Sequence, residues 1–442
     1  MAGGNFLSQN KLRPGAYLNF KGVSKPLNAV GSRGIMTMPV AMGWGATITE
    51  LLSTDLLDGK CLEKIGYTVY DDESQIFREA LKNAYKAIIY RLDTGGVKAA
   101  ATIAPLTATA KYAGIVGNSI SIAIVANGSA FDVITYFKGI EKDRQTATTV
   151  AGLVSNAWVD FSGTGSLVAN AGTALTSGAN GTVSTSTYST YRTAIKAYAW
   201  NVMAIPQDES SIIADTITFI QEQRDTYGKK VQAVLYDATA DYEGIISCAQ
   251  GYQSDTETVS PTTFIAYLAG LTAGSEPNKS NTYHVIPGAI SIVYPSGVTP
   301  YTDAEIEAAL AAGKLVLSTR QDGAVVIEQD INTLHTYTVD RSYAFSKNRV
   351  IRTLDEINNA VRRIFENSYI GKIDNNVAGR NLLKADVIAY MNRLQALGAI
   401  QNFDSASDIA ISAGESLDGV VADLAVQPVD AMEKLYMTVV VG

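Results

Sequence analysis

The chain has 442 residues, of which 47% are hydrophobic and 18% charged, and its net charge is −8. That length suggests about two to four domains with enough apolar material for cores. The acidic balance argues against a nucleic-acid binder, and no apolar run approaches the roughly 18 residues of a membrane span.

The amino-terminal stretch, Met1 to Gly15, lacks the apolar centre of a signal peptide, so synthesis and assembly in a cytosol are expected. A polar arm is followed by the strictly alternating AYLNFKGV (16–23), in which Ala16, Leu18 and Phe20 take one face and Tyr17, Asn19 and Lys21 the other. This pattern predicts a strand. GIMTMPVAMGWG (34–45) reads as a buried strand and turn. Asp71, Asp72 and Glu73 mark a helix start, with Ile76, Ala80, Leu81, Ala84 and Tyr85 following at helical spacing. AIIYRL (87–92) then completes a strand–helix–strand unit.

After Asp93-Thr94-Gly95-Gly96 the composition changes. IVGNSISIAIVANG alternates like a strand, and Asp160 is the lone charge between Gln145 and Tyr191. A small all-β insert with long polar loops is expected, anchored by Val150, Leu153, Val154, Trp158, Val159, Phe161, Leu167 and Val168. Strand–helix alternation resumes with WNVMAIP (200–206) and a helix carrying Ile213, Thr216, Ile217 and Ile220. The strand KVQAVLYD (230–237) follows, with helices expected at 242–247, 261–271 and from Asp303 to a stop at Gly313. KLVLST and AVVIEQ pair around Gln321-Asp322-Gly323 as a hairpin. The alternation predicts a mostly parallel, doubly wound sheet.

Two amphipathic helices come next. Leu354, Ile357, Val361, Ile364, Phe365 and Tyr369 stripe the first; Leu383, Val387, Tyr390, Met391, Leu394 and Leu397 stripe the second. Such stripes need cover, expected from each other and from a terminal hairpin. That hairpin's second arm, Leu435 to Val441, is apolar on both faces and calls for partners on both sides and edges, from this chain or by strand addition from another copy. The window Arg341 to Arg393 carries ten basic and five acidic residues, a local +5 that leaves −13 for the remainder. This suggests a basic face for an acidic partner.

Signs of chemistry are sparse. His284 and His335 have no metal-ligand spacing, and neither a GxSxG elbow nor a phosphate loop is present. Asp93-Thr94-Gly95 has the letters of an aspartic-protease motif, but occurs once, and that chemistry needs two carboxylates. Cys61 and Cys248 are expected to be buried free thiols. An α/β hydrolase-like enzyme is the alternative reading.

NKLRPGAYLNFKG (10–22), AIIYRLDTGGVKAAAT (87–102) with KYAGIVGNSISI (111–122), YIGKIDNNVAGR (369–380) and QPVDAMEKLYMTVVV (427–441) together resemble the contractile tail sheath proteins of myophages, defective-prophage tails and R-type contractile bacteriocins. The resemblance spans nearly the whole chain. It implies an α/β main domain of subtilisin-like topology without catalytic residues, split into 24–94 and 190–335, with a β-rich outer insert at 95–189. It further implies an α+β, tube-facing domain at 336–442 and extended terminal arms, the first at 1–23. The implied function is a virion structural subunit that polymerises helically around an inner tube in a metastable state and contracts to drive the tube through a cell envelope. It needs no cofactor. The implied partners are other copies, the inner tail tube protein, and baseplate and tail terminator proteins, with no direct nucleic acid and no membrane insertion. The subunit would belong to a released virion or tail-like particle. Strand-exchanging arms map to Tyr17, Leu18, Asn19 and Phe20, and to Val420, Leu424, Val426, Leu435, Met437, Val439 and Val441. Arg362, Arg363, Lys372, Arg380 and Lys384 are the tube-facing candidates.

Overall fold

A computed structural model describes residues 33–57 and 59–441, together with the backbone of two short strands, 2–4 and 15–17. Those two strands pair in parallel within a separate amino-terminal unit, Met1–Ser32. Tyr17 ends the second of them. The expected strand residues Leu18, Asn19 and Phe20 lie outside the described residues.

The centre of the larger unit is a six-stranded sheet. Its strands are β1 (Ile35–Val40), β2 (Ile48–Leu52), β3 (Lys86–Arg91), β4 (Val202–Ile205), β5 (Gln232–Tyr236) and β6 (Ile245–Cys248), in the order β6-β5-β4-β1-β3-β2. All neighbours run parallel except β2, which pairs antiparallel with β3 at one edge. Strands covered on both faces must be apolar on both, and they are. Met36, Met38, Ala87 and Ile89 face a layer containing α1 (Gln75–Leu81) and α4 (Pro261–Gly274). Ile88, Tyr90, Met203 and Ile205 face α2 (Thr185–Ile195) and α3 (Ser210–Gln221). The parallel pairing of β1 with β3, with α1 in the crossover, is the expected strand–helix–strand unit. It also contains β2 and two five-residue helices, 53–57 and 61–65, which the apolar spacing did not signal. The α1 helix stops at Leu81, short of Ala84 and Tyr85.

One expected helix is a strand. Residues 245–248 form β6, buried throughout and parallel to β5. A four-residue apolar run is too short for its period to distinguish helix from strand, and the open edge of β5 decides the matter.

Between β3 and β4 the chain forms two antiparallel sheets. One has the order 140–147, 130–137, 120–127, 170–174; the other 159–163, 106–113, 98–103. Their shared core contains Phe137, Val150, Trp158, Val159 and Leu167. Of the expected anchors, Val154 and Val168 are exposed: each sits in a polar loop beyond the sheet edges. Trp44, from the loop after β1, fills this core from outside, stacked on Trp158 at 5.6 Å and edge-on to Tyr112 at 5.2 Å. The outgoing and returning connections are stapled by reciprocal bonds between Val97 and Ala179 and by Gly181 N–H to the Asp93 carbonyl, 3.0 Å. A Cβ on Gly96 would lie 2.0 Å from the Ala179 oxygen, so only glycine allows this approach.

Two 21-residue helices follow, α5 (Asn348–Ser368) and α6 (Val377–Leu397). Asn376 caps α6 through Gly379 N–H, and Gly398 at φ +76° closes it. The hairpin after them differs from expectation. Its arms are β7 (Ile409–Ala413) and β8 (Val420–Leu424), paired antiparallel as a two-stranded sheet. Leu435 to Val441 is not a strand of this hairpin and has no ladder partner among the described residues. The chain forms its hairpin within 409–424, where the hydrogen bonds close locally, and leaves the later apolar segment without one.

Candidate subunit interface

The residues that suggested catalysis are structural. Asp93 is buried, and its Oδ1 accepts from Arg91 Nε at 2.9 Å and from Met42 N–H at 3.1 Å. Arg91 also donates to the carbonyls of Gly45 and Ala113 at 3.0 and 2.7 Å, tying β3, the loop after β1 and the inserted sheets together. His284 Nε2 lies 3.2 Å from the Tyr267 hydroxyl, and burial lowers its pKa. His335 rests on the Thr333 carbonyl and near Asp241. Burial pushes the Cys248 thiol up to about 12 and raises Cys61 as well, so neither supplies a thiolate nucleophile. Among the described residues no cluster of three or more His, Cys, Asp or Glu side chains could hold a metal, and no helix is long and apolar enough to cross a membrane.

The carboxy-terminal quarter has another character. The half-buried stripe of α5 (Leu354, Val361, Phe365) and Leu383 and Val387 of α6 face Ile409, Ile411, Val420 and Leu424 of the hairpin. Together they line an open apolar groove of about 650 Å³. The helices and hairpin therefore cover each other only in part. Asn375 pins the hairpin turn to the interhelical turn, its Nδ2 donating to the Leu417 and Gly419 carbonyls at 2.9 and 2.8 Å.

Beyond β8, Val426 is half-buried and Gln427–Pro428 pairs with Ile400–Gln401. Val429 N–H reaches the Ala399 carbonyl at 3.0 Å. From there to Val441 the chain is in neither helix nor strand. Leu435 is 85% exposed, Met437 73%, Val439 70% and Val441 90%. These seven consecutive residues, dominated by Leu, Tyr, Met and Val, form an uncovered apolar segment.

The basic window is less outward-facing than its charge count suggests. Arg341 pairs with Glu243 at 3.3 Å and the fully buried Arg352 with Asp330 at 2.8 Å, while Lys347 pairs with Glu433. The five tube-facing candidates gather at the turn end of the helix pair. Arg362 holds Glu366 at 2.7 Å and the Tyr227 carbonyl at 3.0 Å, and Arg363 reaches the buried Glu356 at 3.3 Å. Lys372 caps the Asn367 carbonyl; Arg380 orients Asn375 through a 2.8 Å bond to its Oδ1. Lys384 is half-buried on α6. Arg380 thus has a part in the fold that residue type alone did not signal, whereas Arg362 and Lys372 project from the surface.

The feature that stands out in this quarter is the uncovered apolar segment 435–441. The chain belongs to the phage tail sheath family. The model for the phage tail sheath beta-sandwich domain matches residues 94–180, that for the sheath protein central domain 181–333, and that for the sheath C-terminal domain 340–442. It is 35% identical to the phage-like element PBSX protein XkdK of Bacillus subtilis (strain 168), over the full length of both chains. Among solved structures it is similar to the sheath tail protein of Desulfitobacterium hafniense, at 39% identity and TM-score 0.81, covering 96% of this chain and 99% of that one. The fold alone is shared with the contracted helical sheath of the anti-feeding prophage, at 11% identity and TM-score 0.57, covering 96% and 98% of the two chains. The protein is accordingly a structural tail sheath subunit, not an enzyme.

Proposed function

We propose that the chain polymerises helically around an inner tail tube, and that a change in packing between subunit bodies contracts the polymer and drives the tube through a target cell envelope. The observation that carries this reading is the presence, on one chain, of a donor and an acceptor. The donor is the exposed segment 435–441. The acceptor is the two-stranded β7–β8 sheet, whose outer edges have no strand partner among the described residues. Donor and acceptor are different surfaces, so each copy can pass its strand to the next head-to-tail, the heterologous geometry that propagates into a helix. Each main-chain bond so formed adds roughly 0.5–1.5 kcal/mol net, and each buried Leu, Met or Val roughly 1.5–3 kcal/mol. A link of that kind persists while the bodies rotate. The amino-terminal arm, with Tyr17, Leu18, Asn19 and Phe20, serves the same mesh. In this reading 24–94 and 190–335 form the subtilisin-like body, 95–189 the outer insert and 336–442 the tube-facing domain, with Arg362, Arg363, Lys372, Arg380 and Lys384 toward the tube. Baseplate and terminator proteins bound the polymer, in a virion or tail-like particle assembled in the bacterial cytoplasm.

Electron microscopy of the purified full-length chain beside a version truncated after Lys434 tests the reading. Rings or tubes from the full-length chain, lost on truncation, are expected. Polymers from both remove the arm from the account.

A further inference from the structure

The terminal tail is not loose along its whole length. After Val429 its main chain makes no bond to the subunit body among the described residues, yet one side chain turns inward. Glu433 sits between Met432, fully exposed, and Lys434 and Leu435, both exposed. Its own side chain is almost covered, 11% exposed. Oε1 accepts from the Thr282 hydroxyl at 2.8 Å; Oε2 accepts from Gln329 Nε2 at 2.7 Å and from the Lys347 ammonium. These three donors come from separate stretches: the loop after α4, the end of the 325–327 strand, and the residue preceding α5. Lys347 is itself 4% exposed and lies 5.3 Å from the centre of the Tyr343 ring. A carboxylate bound by a buried cation and two neutral donors is a strong, directional contact. It is placed two residues before the exposed apolar run.

We propose that Glu433 is a positioning residue for assembly: by locking into Thr282, Gln329 and Lys347 it fixes the point at which the terminal arm leaves the subunit, so that 435–441 is presented to a second copy of this chain along a set path. The inference rests on the strand-arm reading above. Without the clamp, the free stretch lengthens from after Glu433 to after Val429, and the arm's ends sample a larger volume. Pre-organisation of a binding segment raises affinity by lowering the ordering cost at the moment of binding. Burial disfavours the Glu433 charge, but the Lys347, Gln329 and Thr282 bonds outweigh it and hold its pKa below the ordinary value, so the clamp is closed at neutral pH.

The test compares full-length chains by sedimentation, reading the concentration at which polymers form, and by thermal unfolding of the unpolymerised subunit. E433A leaves the Lys347 ammonium buried and unpaired, so the double variant K347M/E433A, which removes both charges, is measured beside it. Both are expected to need about tenfold more protein to polymerise, and the double variant to do so with its unfolding midpoint close to the parent's. The charge-swapped K347E/E433K is expected to recover part of the loss. Polymerisation of the double variant at the parent's concentration overturns the proposal. The truncation after Lys434 separates the two ideas, because it keeps the clamp and removes the strand. If it polymerises like the parent, the arm reading fails and the clamp with it. If it fails to polymerise while K347M/E433A behaves like the parent, the clamp alone is wrong.

Discussion

At the scale of single residues, the molecule places charge and aromatic bulk where its parts must be held in register. Arg224 forms a two-pronged pair with Asp355, at 2.7 and 2.9 Å and buried on both sides, joining the segment after α3 to helix α5. Removing Asp355 leaves the buried Arg224 charge with the Val231 carbonyl at 2.9 Å and the more distant Glu243 carboxylate at 3.8 Å. Asp355→Ala is therefore expected to cost about 3–5 kcal/mol in chemical denaturation, and the paired replacement Arg224→Met/Asp355→Leu much less. Trp44→Ala is expected to cost a similar amount, about 3–5 kcal/mol, because the indole fills the core of the inserted sheets and also donates to the Glu63 carbonyl at 3.0 Å. The Glu433 clamp has a pH dependence of fixed sign. Its carboxylate pKa is lowered from 4.5 in the folded chain, so its contribution is complete above that value and is lost as pH falls through the lowered one. A carbon-detected NMR titration of the Glu433 carboxyl is expected to give a midpoint below 4.5; a midpoint above it would contradict the contact.

At the scale of elements, legibility in the sequence follows length and period. The helices α5 and α6 were readable because six-residue apolar stripes over 21 residues admit one period, and β1, β3, β4 and β5 because each is an apolar run set off by turn residues. Strand β6 is not legible in the sequence because four residues carry no period. The hairpin was placed too late because the apolar alternation of 435–441 states that the segment needs a partner without stating which. Sequence pattern reports unmet need; the fold pairs β7 with β8 along one edge and leaves the tail without a ladder partner among the described residues. The basic window misled in a related way. Net charge ignores pairing with distant residues, and Asp330, Glu243 and Glu433 all lie outside that window. The cleanest test of a charged tube-facing surface uses the two exposed candidates whose bonds are local or peripheral. Arg362→Glu with Lys372→Glu is expected to weaken sheath assembly on the tube, more at low than at high salt, with the subunit fold retained. Reversing Arg363 or Arg380 would disturb Glu356 or Asn375 and confuse the readout.

At the scale of the whole molecule, the larger unit combines a rigid body with one uncommitted segment. The doubly wound sheet is tied to the inserted sheets by Trp44, which reaches from the loop after β1 into their core, and by the Arg91–Asp93 knot. The helix pair joins that piece through buried ion pairs, while the groove beside the hairpin stays open and the terminal arm stays unpaired. In the proposed assembly, a subunit built this way keeps its apolar tail for a neighbour and lets bodies repack while the links hold. The most direct test of this account is a helical reconstruction, by cryo-electron microscopy, of polymers formed by the full-length chain. The account predicts residues 435–441 as a strand hydrogen-bonded to the β7–β8 sheet of a neighbouring subunit, with Glu433 still seated on its own Lys347. A terminal segment folded back onto its own subunit, with neighbours joined by body contacts alone, would contradict it.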